Sequence, residues 1–516
     1  MVSMEKTVLH CIEEIGSTGR FQLCMAIMCF ISSLFSGYLT FNFQSLTVSP
    51  EVVCLSPACK AMLNSEDPET TKQVMCSTVR DKDWAFEKGH KENFYTEFNL
   101  YCDRKWLVSM GDTLYFVGFF FAVAPLSSIT DKIGRKRSSE LFVISYILLI
   151  LLLSISTSLY QIIICRILLG AAHGGVSVAF SVAFYEFTTA KPAMLNMMIG
   201  SAGFSLGGGL SGLVAMWSTD WILTLIPPLI GFSLLLILFY FIVPETPYWL
   251  FAKGNESAAI CSLNKVAKFN GSPALENIEL VSVSGEATTS KKSQKSNILW
   301  NIPFLRNSIA RLSFAWFTVA ICYYGLEFNA GSLGNEYVIM MLMGCFDTPF
   351  KLVMYVYAGK VGRQWACQTY LGLAMSCLIL SGLPAANLLT LYGSLTLKTI
   401  LVACGRALGG SVFALLYIYT TEILPTLVRS LGLSCCSTAA RVGSLLSPCV
   451  ILVNEISPYI IYVFTVICLM VAMKLLRGIP ETLGKPLPSS LEDCEKLFCS
   501  GEAKRKKMED PYRLHP

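Results

Sequence analysis

Charge is what this sequence has least of. Of its 516 residues 15% are charged and 53% are hydrophobic, whereas a soluble globular chain carries about a quarter charged residues. With a mean hydropathy of +0.56, the chain is not an ordinary water-soluble domain. Histidine is scarcer still: His10, His90, His173 and His515 are the four, too scattered for a metal cluster. No G-x-x-x-x-G-K-[ST] loop is present to cradle phosphates, which argues against ATP-driven pumping. No C-x-x-C pair and no catalytic set appear, so neither an enzyme, a cofactor, a metal nor a nucleic-acid partner is expected. Period-two alternation is missing too, and with it the outer-membrane barrel.

What is present is a series of long apolar runs. Twelve segments have spanning length: about 21–43, 107–130, 139–158, 160–185, 193–216, 221–243, 313–330, 336–358, 366–386, 395–420, 430–453 and 458–476. In lipid each must satisfy its backbone internally and is therefore a helix. The predicted class is an all-α membrane protein. Met1 to Arg20 is polar, with Glu5, Glu13 and Glu14, so no cleavable signal is expected and the first span is the insertion signal.

Basic residues fix the expected orientation. Lys132, Arg135, Lys136 and Arg137, then Lys360 and Arg363, then Arg429, lie in short loops on one side, as do the tail residues Lys504, Arg505, Lys506 and Lys507. Short loops on the other side, near 157–160, 217–221, 328–336 and 454–458, have no Lys or Arg. By the positive-inside rule both termini are cytoplasmic. The loop 44–105 is then external, and its Cys54, Cys59, Cys76 and Cys102 are expected to form two disulfides, with three pairings open.

Short motifs recur at a nearly constant spacing. Asp131-Lys132-Ile133-Gly134-Arg135 is matched by Gly362-Arg363, Pro244-Glu245-Thr246 by Pro480-Glu481-Thr482, and Arg166 by Arg406, at offsets of 228, 236 and 240. Same order and similar spacing indicate two duplicated six-helix halves, the organisation of an alternating-access transporter with its site between them. The expected divisions are a cytoplasmic N-terminus 1–20, a first half 21–245, a solvated cytoplasmic linker 246–311, a second half 312–478 and a tail 479–516.

Within the eleventh segment stands Arg441, in S-T-A-A-R-V-G-S-L-L-S-P. A charge near the bilayer centre costs about 2.5–3.5 kcal/mol even on lenient scales, so it faces a cavity or a partner. Small residues around it (Ser437, Ala439, Ala440, Gly443, Ser444) let a ligand approach the backbone. The reading is a fixed positive charge in a substrate cavity. A guanidinium takes a carboxylate in a bidentate fork, which suits planar organic acids.

The motifs E-F-N-L-Y-C-D-R-K-W-L at 97–107, D-K-I-G-R-K at 131–136, P-E-T-P-Y-W-L at 244–250 and P-E-T-L-G-K-P-L-P at 480–488 resemble the organic ion transporters of the major facilitator superfamily, a solute carrier 22-like pattern covering nearly the whole chain. The stretch around Arg441, with L-P-T-L-V-R-S-L-G at 424–432, is most similar to the organic anion branch. The resemblance implies the major facilitator fold and carriage of a small organic anion across the plasma membrane by a monomer. Transport would be exchange, against a dicarboxylate, or facilitated diffusion. It further implies Lys351 as a substrate residue within Asp347-Thr348-Pro349-Phe350-Lys351, with Trp316, Tyr323, Tyr324, Tyr417 and Phe204 as aromatic pocket walls.

The plainer reading of Asp347 and Lys351, four apart on one helix, is that they neutralise each other. Asp131, Gly134, Arg135, Arg166, Glu186, Gly362, Arg363, Arg406, Glu422 and Arg429 read as structural or gating residues at helix ends. The sequence departs from the pattern at Ser127 and Ser128, at Ala193 and at Gln364, departures expected to weaken the cytoplasmic latch. Glu327 is expected at an external helix end in water, and His173 as a packing residue. An organic cation or zwitterion carrier relying on Glu327 or Asp347, and a non-transporting sensor or scaffold with the same fold, are the rival readings.

Overall fold

The computed structural model describes residues 4–47, 52–54, 84–86, 94–98, 100, 104, 106–218, 220–275, 278–280, 301–329, 333, 335–382, 390–392, 395–425, 428–448, 460–485, 488 and 494–496. Cys59, Cys76, Cys102 and the side chain of Cys54 lie outside the described residues, as do Lys504 to Lys507.

The first half holds α1 (Val8–Glu14), α2 (Arg20–Leu46), α3 (Trp106–Ile133), α4 (Arg135–Ser154), α5 (Leu159–Tyr185), α6 (Ala190–Trp217) and α7 (Ile226–Ile242). After α8 (Pro247–Ala252) and α9 (Glu256–Asn270), the second half runs through α10 (Pro303–Phe328), α11 (Glu336–Val361), α12 (Arg363–Ser381), α13 (Leu397–Ile423), α14 (Arg429–Leu446) and α15 (Ile460–Leu476). Nine helices among the described residues are long and apolar enough to cross a membrane. The shorter α14 and α15, with α12, stand where the sequence places the eleventh, twelfth and ninth segments, giving two sets of six.

The two halves pack by one scheme. Contacts α2–α6, α3–α5 and α4–α5 in the first recur as α10–α14, α11–α13 and α12–α13 in the second. Between halves the main seams are α6 on α11 and α3 on α14. At the first seam the helices meet backbone to backbone: a Cβ on Gly344 would stand 2.8 Å from the Cα of Gly209 and 2.7 Å from the carbonyl oxygen of Ser205. Only glycine permits that approach.

The segment after residue 246 is more ordered than its polar composition predicts. Asn255 caps α9 by accepting from the Ala258 amide at 3.1 Å, and Gly271 closes it at φ +77°. From the end of α9, the Asn270 side chain accepts from Phe21 N–H at 2.9 Å and donates to the Ile15 carbonyl at 3.1 Å. Strand β1 (Met4–Lys6) pairs in parallel with Ile278–Leu280. The start of the expected solvated linker therefore folds onto the N-terminal half, and α10 begins at Pro303, inside that linker.

Candidate substrate cavity

A cavity of about 220 Å³ lies between the halves. Phe119, His173 and Phe204 line it from the first half; Tyr323, Tyr324, Lys351, Tyr417 and Arg441 line it from the second. One end is shut by rings from both halves. Phe41 lies 6.0 Å from Tyr324 and 6.3 Å from Phe328, and Phe116 lies 5.0 Å and 6.3 Å from the same two. Beyond them Gln44 Nε2 donates to the backbone oxygen of Glu327 at 2.9 Å and to Glu336 Oε1 at 3.3 Å. Toward the opposite end, which bears Arg135 and Arg363, the wall runs out to Tyr185, 41% exposed. The cavity opens there.

Four charged side chains at or behind the wall form a linear chain. The Glu327 carboxylate lies 2.6 Å from Arg406 Nε, Arg406 Nη1 lies 3.3 Å from Asp347 Oδ1, and Lys351 Nζ lies 3.4 Å from Asp347 Oδ2. Tyr323 stacks under the Arg406 guanidinium at 4.0 Å and donates its hydroxyl to Asp347 at 2.8 Å. Lys351 also donates to Ser205 Oγ at 2.6 Å and the Ser201 carbonyl at 2.9 Å, bridging the halves. Two acids and two bases cancel. Arg441 stands apart: its guanidinium lies 4.0 Å over the Phe119 ring, and no described carboxylate pairs with it.

At the open end each half carries the same clasp. Gly134 (φ +101°) and Gly362 (φ +112°) turn the chain into α4 and α12 in a backbone region essentially restricted to glycine. The first amides of α4, Arg135 N–H and Lys136 N–H, donate to Glu245 at 2.7 Å and 3.1 Å. Those of α12, Arg363 and Gln364, donate to Glu481 at 2.8 Å and 3.0 Å. A carboxylate on exposed helix N–H groups is favourable by charge and dipole alike. The side chain of Arg135 then pairs with Glu186 at 2.8 Å and Asp131 at 3.1 Å, and that of Arg363 with Glu422 at 2.8 Å. Burial raises the Glu186 carboxyl above its ordinary range, with Arg135 opposing.

Several expectations change here. Both clasps are complete despite the departures, because Gln364 needs only its backbone N–H to reach Glu481. Arg429 does not take part; it donates to the carbonyls of Leu424 and Pro488 at 3.1 Å and 3.2 Å. Arg166 and Arg406 are not at helix ends but buried within α5 and α13, Arg166 on Asp112 at 2.7 Å. Glu327 is not in water: it is 1% exposed on Arg406. Trp316 is 0% exposed behind Tyr417 and Phe413, its indole N–H on Thr420 at 3.1 Å, and does not line the cavity. Asp347 sits behind Lys351 rather than on the wall. Phe119, Phe413, Asn196 and His173 do line it, and sequence reasoning passed over all but His173. Of those passed over, only Asn196 carried a signal, a polar residue within an apolar span; Phe119 and Phe413 stand among other apolar residues.

Comparison with other proteins follows the same line. The family described as Sugar (and other) transporter matches residues 73–493. Organic anion transporter 3 of Oryctolagus cuniculus is 29% identical over 83% of this chain and 78% of its own. Organic cation transporter 1 of Caenorhabditis elegans is 26% identical over 94% and 88%. Among solved structures, the proton:xylose symporter XylE superposes with a TM-score of 0.60 at 16% identity, covering 93% of this chain and 99% of that one. The xylose transporter in its inward open conformation gives 0.57 at 14% identity.

Proposed function

Because the chain belongs to the sugar (and other) transporter family, as a membrane transporter of the major facilitator superfamily akin to solute carrier 22, we propose that its cargo is an organic anion moved by alternating access. One observation carries this reading. Of the five charged groups at or behind the cavity wall, four cancel in pairs, and Arg441 alone is left facing the space. A cavity with net +1 and aromatic walls suits a carboxylate on an aromatic or apolar body. The cation reading needs an uncommitted acid, and both Glu327 and Asp347 are bound to Arg406.

The basic end faces the cytoplasm by the positive-inside rule, so the cavity described here is open inward and shut outward. Tyr324 and Phe328 meeting Phe41 and Phe116 are the outer gate; the two clasps hold each half rigid. The site residues are then Arg441 as the anion anchor, Lys351 as the group that ties the substrate floor to α6, and Phe204, Tyr323, Tyr324 and Tyr417 as walls. Transport is by exchange, against a dicarboxylate, or by facilitated diffusion, in a monomer at the plasma membrane.

The test is uptake into proteoliposomes of a labelled aromatic carboxylate beside tetraethylammonium, in wild type, Arg441→Ala and Lys351→Ala. Saturable carboxylate uptake that falls at least tenfold in Arg441→Ala is expected. Tetraethylammonium uptake that survives the arginine change refutes the anion reading. Tight carboxylate binding without flux would make the protein a sensor.

A further inference from the structure

We propose that His173 is a second anchor of the cavity, a neutral hydrogen-bond acceptor, and that the anion carried bears a hydroxyl or N–H donor near its carboxylate. The proposal rests on the reading of Arg441 given above and narrows the substrate class of the same site.

Thr40 Oγ1 lies 2.7 Å from the Ser36 carbonyl, which can only accept, so the single Thr40 proton is committed there. The Tyr115 hydroxyl lies 3.1 Å from Thr40 Oγ1 and must therefore be the donor of that bond. Tyr115 has one proton as well. Toward His173 Nδ1, 3.0 Å away, its oxygen can then only accept, and Nδ1 carries the hydrogen. The Tyr146 hydroxyl at 3.4 Å offers the same oxygen a further donor. In a neutral ring with Nδ1 protonated, Nε2 is a bare lone pair.

His173 itself lines the substrate space, with Nδ1 tied to Tyr115 and Nε2 the ring nitrogen left for a ligand. His173 lines the cavity between two wall rings, Phe119 at 4.6 Å and Phe204 at 6.0 Å, the latter nearly parallel at 17°. The rings and the Tyr115 bond fix the orientation of the imidazole. No described residue bonds to Nε2. Phe119 is also the ring under Arg441, at 4.0 Å. One aromatic side chain thus touches both anchors, and they are no further apart than these two short distances together. A carboxylate on Arg441 and a hydroxyl on His173 is the span of a hydroxylated aromatic acid. An analogue without the donor leaves Nε2 stripped of water and unpaired, which is where such sites discriminate.

The experiment uses the full chain in proteoliposomes with benzoate, 3-hydroxybenzoate and 3-methoxybenzoate. The readout is the ratio of KM for benzoate to KM for 3-hydroxybenzoate, so any change in overall flux cancels. Wild type is expected to prefer the hydroxy acid roughly threefold to tenfold over both others, the range of one neutral hydrogen bond. His173→Phe should bring the ratio to about one. His173→Gln, which keeps an acceptor, should hold part of the preference and guards against a variant that does not fold. An unchanged ratio in His173→Phe, or equal KM for the three acids in wild type, overturns the assignment. Loss of all three acids in Arg441→Ala alongside either outcome leaves the anion reading standing; retention of all three in Arg441→Ala, or no carriage of any by wild type, overturns both.

Discussion

Glu327→Gln is the sharpest probe of the charge chain behind the cavity. Glu327 and Arg406 are each 1% exposed, with carboxylate oxygen and Nε 2.6 Å apart. The substitution keeps shape and removes one negative charge, leaving Arg406 and Lys351 against Asp347 alone and the chain at net +1. Breaking a buried pair by neutralising one partner costs about 3–5 kcal/mol, because the other charge stays behind without compensation. An exposed pair in water would cost at most about 1 kcal/mol. The assay is reversible unfolding in mixed detergent micelles, comparing Glu327→Gln, Arg406→Gln and the double variant. The single changes leave the chain at +1 and −1; the double change restores zero, so it should cost less than the two singles added, with a coupling of about 1–3 kcal/mol. A loss below about 1 kcal/mol in Glu327→Gln with additive behaviour would refute the buried network and return Glu327 to solvent.

Two further outcomes follow from geometry already given. Gly134→Ala and Gly362→Ala should each destabilise by about 1–3 kcal/mol from backbone strain alone, and the new Cβ would in addition strike the carboxylate of Glu245 or Glu481. Gly372→Ala in α12, where a Cβ meets nothing within 4 Å, should instead be neutral or stabilising by up to about 1 kcal/mol; thermal unfolding of the three separates strain from a general intolerance of alanine. At the outer end, cysteines replacing Gln44 and Glu336, whose side-chain tips are 3.3 Å apart, should be bridged by a short bis-methanethiosulfonate reagent, which makes up the length the two cysteines lack; the bridge should stop uptake and release it on reduction. Uptake that persists in the cross-linked protein would remove this contact from the gating cycle.

The fold was legible because its signals are long or repeated. Twelve apolar runs and a duplicated glycine–arginine motif give two six-helix sets, and Arg441 announces itself as a charge amid apolar residues. The motifs also recur for a reason visible only in space: Glu245 and Glu481 are the caps for the turns at Gly134 and Gly362. What stayed hidden depends on partners far along the chain. Glu327 reads as a helix-end acid until Arg406, on α13, is brought against it. Trp316 and Tyr417 lie on helices apolar all round, where no periodicity says which face meets the cavity, and the fold turns one ring to the core and the other to the space. Composition called the start of the linker solvated, although Asn255 and Gly271 flank α9 with ordinary start and stop residues.

The seam between Gly209 and Gly344 bears on motion as well as on packing. Side chains at a helix crossing act as teeth, and interlocked teeth favour particular crossing angles of one helix on the other. Here backbone rests on backbone with no tooth on either side. At that crossing the halves meet at a plain bearing, pinned beside the cavity by Lys351 on Ser201 and Ser205, and a small angular change about it becomes a wide change at either mouth.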